Sequence, residues 1–195
     1  DNSWLHSILP NVDLDASDFF SPKSTLPLAL VTSQAPLGAV RHFANKKSFR
    51  VGTDCSGMEA PIQALRNMSL NFDHVFSSDN DPEVVRTINA NFKPQELFPD
   101  VTQRDNGVAP YVDIYIAGFP CQPFSSLGKK QGFEDTKGRG IIFHSIRDYI
   151  DKQRPKVFIL ENVAGLTTLR RGQCLKAILE SLNTIGSNAY EIHQQ

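Results

Sequence analysis

Residues 112–125 read VDIYIAGFPCQPFS, and this stretch is the most informative part of the chain. Val112, Ile114 and Ile116 alternate with other residues in a run rich in strand formers, which predicts a core strand. The strand ends at Gly118, where the missing side chain lets the backbone turn and approach a ligand closely. Because ligands of open α/β sheets bind at the carboxyl ends of the strands, we expect a functional site directly after this glycine.

A cysteine follows this predicted strand in a stiff loop. Cys121 lies between Pro120 and Gln122, with Pro123 next, and the two prolines remove two backbone donors. A thiol held at the end of a strand is a candidate nucleophile. Free cysteine is also among the most buried residue types, so ordinary packing explains most single cysteines. The cysteine alone therefore leaves both interpretations open.

From residue 49 onward, segments with strand character alternate with segments with helix character. We predict strands at 50–54, 74–78, 97–98, 112–117, 156–160 and 190–193, and helices at 59–68, 82–92, 140–152 and 173–182. The run 156–160 (KVFIL) is almost continuously apolar, as a strand buried on both faces should be. This alternation predicts an α/β fold with a doubly wound, mostly parallel sheet and right-handed crossovers.

Residues 1–48 are predicted to form an N-terminal extension that packs on the main domain, residues 49–195. Prolines break the segment into short pieces, and residues 26–32 (LPLALVT) could form a short strand or a turn of helix. The chain begins with Asp1 rather than Met, which favours a processed or excised piece.

The overall composition limits the possible functions. A length of 195 residues suits one α/β domain, and no apolar run is long enough to span a bilayer. Three widely spaced cysteines argue against a disulfide framework, and five scattered histidines argue against a structural zinc site. We therefore predict an intracellular protein without a membrane partner, nuclear if the source is eukaryotic.

The charge pattern bears on nucleic-acid binding. A net charge of −1 argues against a complete DNA-binding surface. Basic residues nevertheless cluster locally, at Lys129, Lys130, Lys137 and Arg139 and again at 170–171. Such clusters are usually solvated faces. Next to a reactive cysteine, a rim that faces phosphates is the better interpretation.

Two segments together carry a family resemblance. The stretch 118–125 (GFPCQPFS) resembles the signature loop of the C5-cytosine-specific DNA methyltransferases, and Glu161-Asn162-Val163 follows another strand at the place expected for that family. The pair is much more specific than either segment alone. The resemblance implies a Rossmann-like, class I S-adenosylmethionine-dependent methyltransferase, DNA as the substrate, and methylation of cytosine at carbon 5.

The resemblance also implies a mechanism. The thiolate of Cys121 adds to ring carbon 6, which makes carbon 5 able to accept the methyl group. Glu161 binds the N3 edge of the base, and a raised pKa would help it to share a proton there. In a duplex, the target cytosine is flipped out of the stack. Asn162 is expected to hold the loop around Pro120, with helix or turn capping as an alternative.

Other residues are assigned to the substrate by the same resemblance. Gln122 and Ser125 orient the base or the loop. The glycine-rich stretch 128–140 (GKKQGFEDTKGRG) resembles the family's mobile loop that closes over the flipped base, although an ordinary surface loop has the same composition. Lys129, Lys130 and Arg139 are therefore candidate substrate-binding residues.

The cofactor site is predicted in the loops that follow the first three strands of the main domain. The candidate residues are Asp54, Cys55, Ser56, Gly57, Met58, Glu59, Asp79, Asn80, Asp100, Gly118 and Pro120. By resemblance, Asp79 binds the ribose, Asn80 lies beside the adenine, and Asp100 meets the adenine amino group.

This chain departs from the family in the first cofactor loop. Cys55 stands where the family usually has Phe, and Glu59-Ala60 where it usually has two glycines. Glu59 could favour the sulfonium of the cofactor electrostatically, or it could simply suit the helix dipole.

The resemblance ends before the family pattern is complete. A Gln-x-Arg-x-Arg segment, a target-recognition domain and a last cofactor motif are missing. We therefore expect a C-terminally truncated catalytic domain that is completed by a missing half or a second chain. A tRNA cytosine methyltransferase and a non-catalytic regulatory relative remain alternatives. A nicotinamide-dependent enzyme is disfavoured because no G-x-G-x-x-G follows the first strand.

Overall fold

The structure, a computed structural model, describes residues 28–33, 48–120, 141–169 and 171–194. These residues form seven strands: β1 (Leu28–Ser33), β2 (Phe49–Asp54), β3 (Phe72–Ser78), β4 (Glu96–Phe98), β5 (Ile114–Gly118), β6 (Val157–Asn162) and β7 (Glu191–Gln194). They also form four α-helices: α1 (Ala60–Asn67), α2 (Pro82–Asn91), α3 (Ile141–Gln153) and α4 (Gln173–Asn183). Two short 3-10 helices lie at Ala164–Thr167 and Ile185–Ser187.

The strands form a single sheet in the order β4-β3-β2-β5-β6-β1-β7. The first five strands in this order, β4, β3, β2, β5 and β6, run parallel to one another, as their pairings show. The chain moves outward from β2 through β3 to β4, and then returns to the other side of β2 to form β5 and β6. Strand order therefore reverses between β2 and β5, which is where open α/β sheets bind ligands. The predicted doubly wound, mostly parallel fold is confirmed.

A strand from the N-terminal segment lies inside this sheet. Strand β1 pairs antiparallel with β6 on one side and with β7 on the other. The short apolar run that could have been strand or helix is thus a strand. Its partners lie more than 120 residues away in the sequence, so no local pattern predicts where it pairs. The division of the chain at residue 48 stays a prediction, but β1 belongs to the sheet rather than to its surface.

Strand β5 is buried on both faces, and this fixes the centre of the fold. Tyr115 and Ala117 pack into a large core with α3 and α4, whereas Ile116 packs into a second core that includes residues of α1. Tyr115, Phe76 and Tyr149 form an aromatic cluster in the first core. The carboxyl end of β5, where the predicted site begins, is therefore held by a tightly packed interior.

Gly52 offers a test of this packing. A Cβ atom at Gly52 in β2 would lie 2.4 Å from two ring carbons of Phe76. Because Phe76 is fully buried, the ring has little room to move. We expect Gly52→Ala to lower the free energy of unfolding by about 1–3 kcal/mol, as overpacked cores do. Urea denaturation measures the loss. Gly165→Ala is the control, because its Cβ would meet nothing within 4 Å; equal stability of the two variants would contradict the packing described.

Candidate active site

The predicted site residues that the structure describes lie at the carboxyl ends of β2, β3, β4, β5 and β6. The structure brings the loop after β2 into contact with the end of β3, and it brings the end of β6 beside the end of β5. The first group corresponds to the predicted cofactor residues and the second to the predicted catalytic glutamate. The candidate residues Cys121, Gln122, Ser125, Lys129, Lys130 and Arg139 lie outside the described residues.

The loop after β2 has an unusual backbone. Cys55, Gly57 and Glu59 all have φ values between 50° and 55°, in the left-handed region. For residues other than glycine this conformation costs on the order of 1–3 kcal/mol each, so it persists only where surrounding contacts impose it. Those contacts include a two-way bond with β3: the Ser56 amide donates to the Ser78 carbonyl at 3.0 Å, and the Ser78 amide donates to the Ser56 hydroxyl at 3.1 Å.

Asp79 holds the same loop from the end of β3. One carboxylate oxygen accepts the Gly57 amide at 2.9 Å, and the other accepts the Asp81 amide at 3.0 Å. Asp79 is half-buried and the next residue, Asn80, is exposed. The predicted ribose acid is thus fixed in orientation by two backbone amides.

Asp100 lies close to this group, after β4. One of its carboxylate oxygens accepts both the amide and the hydroxyl of Thr102, at 2.8 and 2.7 Å. The backbone of the same segment is tied to β3, because the Asp79 amide donates to the Phe98 carbonyl at 3.3 Å. The two acids assigned to the cofactor therefore sit on connected loops with fixed side chains.

Cys55 is not a competing nucleophile. Burial raises the pKa of its thiol to about 12, and the charges of Asp54, Asp79 and Asp100 add to the effect against a smaller opposing contribution from Arg104. The thiolate is the reactive form of cysteine, so this thiol is inert at neutral pH. The influence of three carboxylates on one thiol also shows how acidic this corner of the sheet is.

Asp54 has protein partners that the sequence did not indicate. Its two oxygens accept the two terminal nitrogens of Arg104 at 2.7 and 2.6 Å, and the Tyr115 hydroxyl also donates to it. The pair is almost fully buried. Burial acts to lower the pKa of Arg104, but the charge and hydrogen bonds of Asp54 outweigh it and raise that pKa.

Arg104 was missed because nothing local marks it. The guanidinium lies 4.8 Å from the ring centroids of Phe76 and Tyr149 and 5.1 Å from that of Phe98. This aromatic surround comes from three separate elements and forms only in the folded chain. A sequence signal existed in Asp54 itself, because a carboxylate in a buried strand requires a cation or several donors nearby.

Glu59 is also placed differently from a surface acid at a helix start. It is fully buried, and one of its oxygens accepts the hydroxyls of Thr53, at 2.8 Å, and of Ser77. The imidazole of His74 lies 3.6 Å from that oxygen. The hydroxyls and the imidazole that contact this carboxylate therefore belong to strands β2 and β3.

Glu161 lies at the carboxyl end of β6, where β6 pairs with β5. Its backbone is in register with Gly118, and a Cβ atom at Gly118 would lie 3.0 Å from a carboxylate oxygen of Glu161. Burial raises the pKa of this half-buried carboxyl group. Glycine at position 118 thus leaves space for the carboxyl group of Glu161, whose pKa is raised by burial.

Asn162 connects β6 to the backbone that leads into the cysteine loop. Its amide nitrogen donates to the Phe119 carbonyl at 2.6 Å, and its oxygen accepts the Val163 amide at 2.9 Å. The ring of Phe119 packs against Phe143 of α3, with centroids 5.4 Å apart. The chain is therefore anchored on both sides of residues 121–140.

The described residues contain neither a candidate metal site nor a candidate membrane-spanning helix. In that part of the chain, no group of three His, Cys, Asp or Glu side chains is arranged to hold a metal ion. None of the described helices has the length and apolar character needed to cross a bilayer.

Sequence comparisons show which known proteins this chain is similar to. A family model described as C-5 cytosine-specific DNA methylase matches residues 54–195. The Type II methyltransferase M1.ScrFI of Lactococcus lactis subsp. cremoris is 45% identical over 119 residues, covering 61% of this chain and 29% of that relative. M.NgoBV of Neisseria gonorrhoeae is 40% identical over 131 residues, covering 64% and 30%. The chain thus spans less than a third of the length of these relatives.

Solved structures show the same architecture. The Dnmt2 methyltransferase of S. pombe aligns with a TM-score of 0.53 at 19% identity, covering 69% of this chain and 40% of that one. A mutant of Spodoptera frugiperda DNMT2 aligns with a TM-score of 0.53 at 23% identity, covering 69% and 41%. At these identities the likeness shows the fold, which is Rossmann-like.

The Asn162 anchor can be tested by stability. In Asn162→Ala the Phe119 carbonyl loses the hydrogen bond from this side chain, and one hydrogen bond contributes about 0.5–1.5 kcal/mol to stability. We expect a loss of that size in urea denaturation. The control is Asn67→Ala, because Asn67 is exposed and only accepts a bond from Gln63 at 2.8 Å. If both variants are as stable as the parent, Asn162 is not an anchor.

Proposed function

The chain belongs to the C-5 cytosine-specific DNA methylase family, and we propose that it forms the catalytic part of an enzyme that methylates carbon 5 of cytosine in DNA. The proposed reaction proceeds through a covalent adduct between Cys121 and the base. The chain spans less than a third of the length of M1.ScrFI and of M.NgoBV. A further polypeptide segment or a second chain is therefore proposed to supply target recognition.

The proposal rests on the position of Glu161 beside Gly118. Cys121 lies three residues after that glycine, and three residues span at most about 10 Å. We infer that the thiol and the carboxyl group act on the same small ring. The hydrogen bond from Asn162 to the Phe119 carbonyl and the packing of Phe119 against Phe143 support this inference, because they hold the backbone that precedes Cys121 at this edge of the sheet.

We propose the following sequence of bond changes. The Cys121 sulfur forms a bond to ring carbon 6, while Glu161 shares its proton with N3 and stabilises the electrons displaced into the ring. Carbon 5 then takes the methyl group, which S-adenosylmethionine supplies when it is bound. A general base removes the proton from carbon 5, and the electrons of that C–H bond expel the sulfur as a thiolate. Protein residues thus bind the cytosine, activate it and return to their starting state.

The cofactor is proposed to lie at the loops of Gly57, Asp79 and Asp100. Ribose hydroxyls and the adenine amino group are hydrogen-bond donors, and a carboxylate offers about four lone-pair sites. Asp79 and Asp100 each use two of these sites for protein donors and keep others for a ligand. The chemistry of these residues therefore fits S-adenosylmethionine.

Further residues complete the proposed sites. For the cofactor they are Cys55, Ser56, Met58, Asn80, Gly118 and Pro120, and for the nucleic acid Gln122, Ser125, Lys129, Lys130, Arg139 and Asn162. Arg104 and Tyr115 already donate to the carboxylate of Asp54. We therefore propose that Asp54 affects the cofactor indirectly, by holding the loop that follows β2. Intracellular localisation, nuclear in a eukaryote, stays a prediction.

Covalent trapping tests the function. In DNA that contains 5-fluorocytosine, the methylated adduct carries fluorine at carbon 5 and has no proton there to lose, so the enzyme stays attached. With S-adenosylmethionine and the full-length protein, we expect a DNA–protein species on a denaturing gel. Cys121→Ser should abolish it. A tRNA carrying the same base is the matched arm.

Each outcome of the trapping experiment has one meaning. An adduct on DNA that depends on Cys121 supports the proposal. An adduct only on tRNA would transfer the reaction to RNA. An adduct that survives Cys121→Ser, or none at all in the complete enzyme, would contradict the proposed mechanism, and the latter would favour a regulatory protein.

The raised pKa of Glu161 makes a separate prediction about stability. Burial makes the folded protein bind this proton more tightly than the unfolded chain, so stability is lost as the pH rises through the folded-state pKa. Glu161→Gln removes the titrating group. We expect the variant to lose methyl transfer and yet to gain thermal stability relative to the parent as the pH rises. A variant that becomes relatively less stable with rising pH would show that the carboxylate is favourably paired instead.

A further inference from the structure

We propose that Glu59 is a positioning residue that sets cofactor affinity from beneath the loop after β2, without touching the cofactor. The inference rests on the proposed function, since it concerns the same cofactor. It starts from an acid that the methyl-transfer mechanism does not use. Glu59 is fully buried, and its second oxygen has no hydrogen-bond partner among the described residues.

The carboxylate of Glu59 joins three elements at the cofactor edge. Glu59 occupies the N-cap position of α1 without a side-chain capping bond, Thr53 belongs to β2, and Ser77 belongs to β3. His74, also on β3, lies 2.9 Å from the Ser77 hydroxyl and 3.6 Å from Glu59. A single oxygen of Glu59 therefore connects the carboxyl ends of β2 and β3 to the start of α1.

From this oxygen the contacts continue into the loop. The Thr53 hydroxyl lies 2.8 Å from the Ser56 hydroxyl, which in turn is bonded to the backbone of Ser78. Ser56 is the neighbour of Gly57, whose amide is held by Asp79. The network thus fixes the two loop residues that the cofactor would approach.

The backbone conformation shows that the carboxylate matters. Glu59 has a φ of 55°, which a glycine would adopt without strain. An acid is therefore costly at this position unless its side chain gains something. Hydrogen bonds to a carboxylate are stronger than those between neutral groups, and this carboxylate accepts two from buried hydroxyls. The contacts of the side chain offset the strain of its backbone.

The alternative is that the charge of Glu59 acts on the cofactor directly. The sulfonium of S-adenosylmethionine is positive, whereas S-adenosylhomocysteine has a neutral thioether at the same place. A direct charge effect would weaken binding of the sulfonium form alone. A positioning effect weakens the binding of S-adenosylmethionine and of S-adenosylhomocysteine equally, because the loop that receives both ligands is displaced.

The experiment is calorimetric titration of both ligands into the full-length protein and three variants. Glu59→Ala removes the carboxylate and keeps the backbone strain, Glu59→Gly removes both, and Glu59→Gln keeps the shape and one acceptor oxygen. We expect Kd to rise at least tenfold in the Ala and Gly variants, equally for the two ligands. The Gln variant should lose only two- to threefold. Glu180→Gln, an exposed acid on α4, is the control and should bind like the parent.

Stability and DNA binding separate positioning from general damage. We expect Glu59→Gly to melt at a higher temperature than Glu59→Ala and still to bind the cofactor poorly, with an unchanged Kd for DNA. Parent-like cofactor binding in the Gly and Ala variants would overturn the inference, as would a loss confined to S-adenosylmethionine. If the parent protein binds neither ligand, the proposed function fails, and that result is distinct from the first two.

Discussion

The parallel pairing of β5 with β6 is the constraint on which the rest of the site depends. It places Gly118 opposite Glu161, so that an acid on one strand reaches the carboxyl end of the other, three residues before Cys121 in the sequence. Both strands are held by cores on two faces of the sheet, which makes this juxtaposition a property of the interior rather than of a loop. The site is therefore preorganised at its base before any ligand arrives.

The proposed cofactor edge follows a different principle, in which acids are sorted by their partners. Asp54 is neutralised by Arg104 in a buried pair, and one oxygen of Glu59 accepts two hydroxyls under the loop. Asp79 and Asp100 are half-buried and bonded to donors of their own loops. Removing one partner of a buried pair leaves an uncompensated charge, so the sorting is also a condition for folding. The acids closest to solvent are the ones available to a ligand.

The regular parts of this fold could be predicted from the sequence because their patterns are local. The strand of Ile114 and Ile116 and the helix of Ile146 and Ile150 follow from apolar periodicity. The recognition of the family rested on two short motifs, and the family match confirms it. Both kinds of signal need only neighbouring residues.

The remaining features depend on contacts between distant residues. Strand β1 pairs with residues more than 120 positions away, and its composition suited a helix equally well. Arg104 finds Asp54 across 50 residues. Glu59 looked like an acid at an exposed helix start, but its left-handed backbone and the hydroxyls of two strands place it inside. In each case the partner is chosen by tertiary packing, which no window of sequence contains.

The most direct measurement is a crystal structure of the full-length protein trapped on DNA that contains 5-fluorocytosine. The account predicts that the Cys121 sulfur is bonded to carbon 6 of the flipped base and that the carboxyl group of Glu161 lies within hydrogen-bonding distance of N3 of the same ring. A structure in which Glu161 faces another side of the sheet, out of reach of that ring, would contradict it.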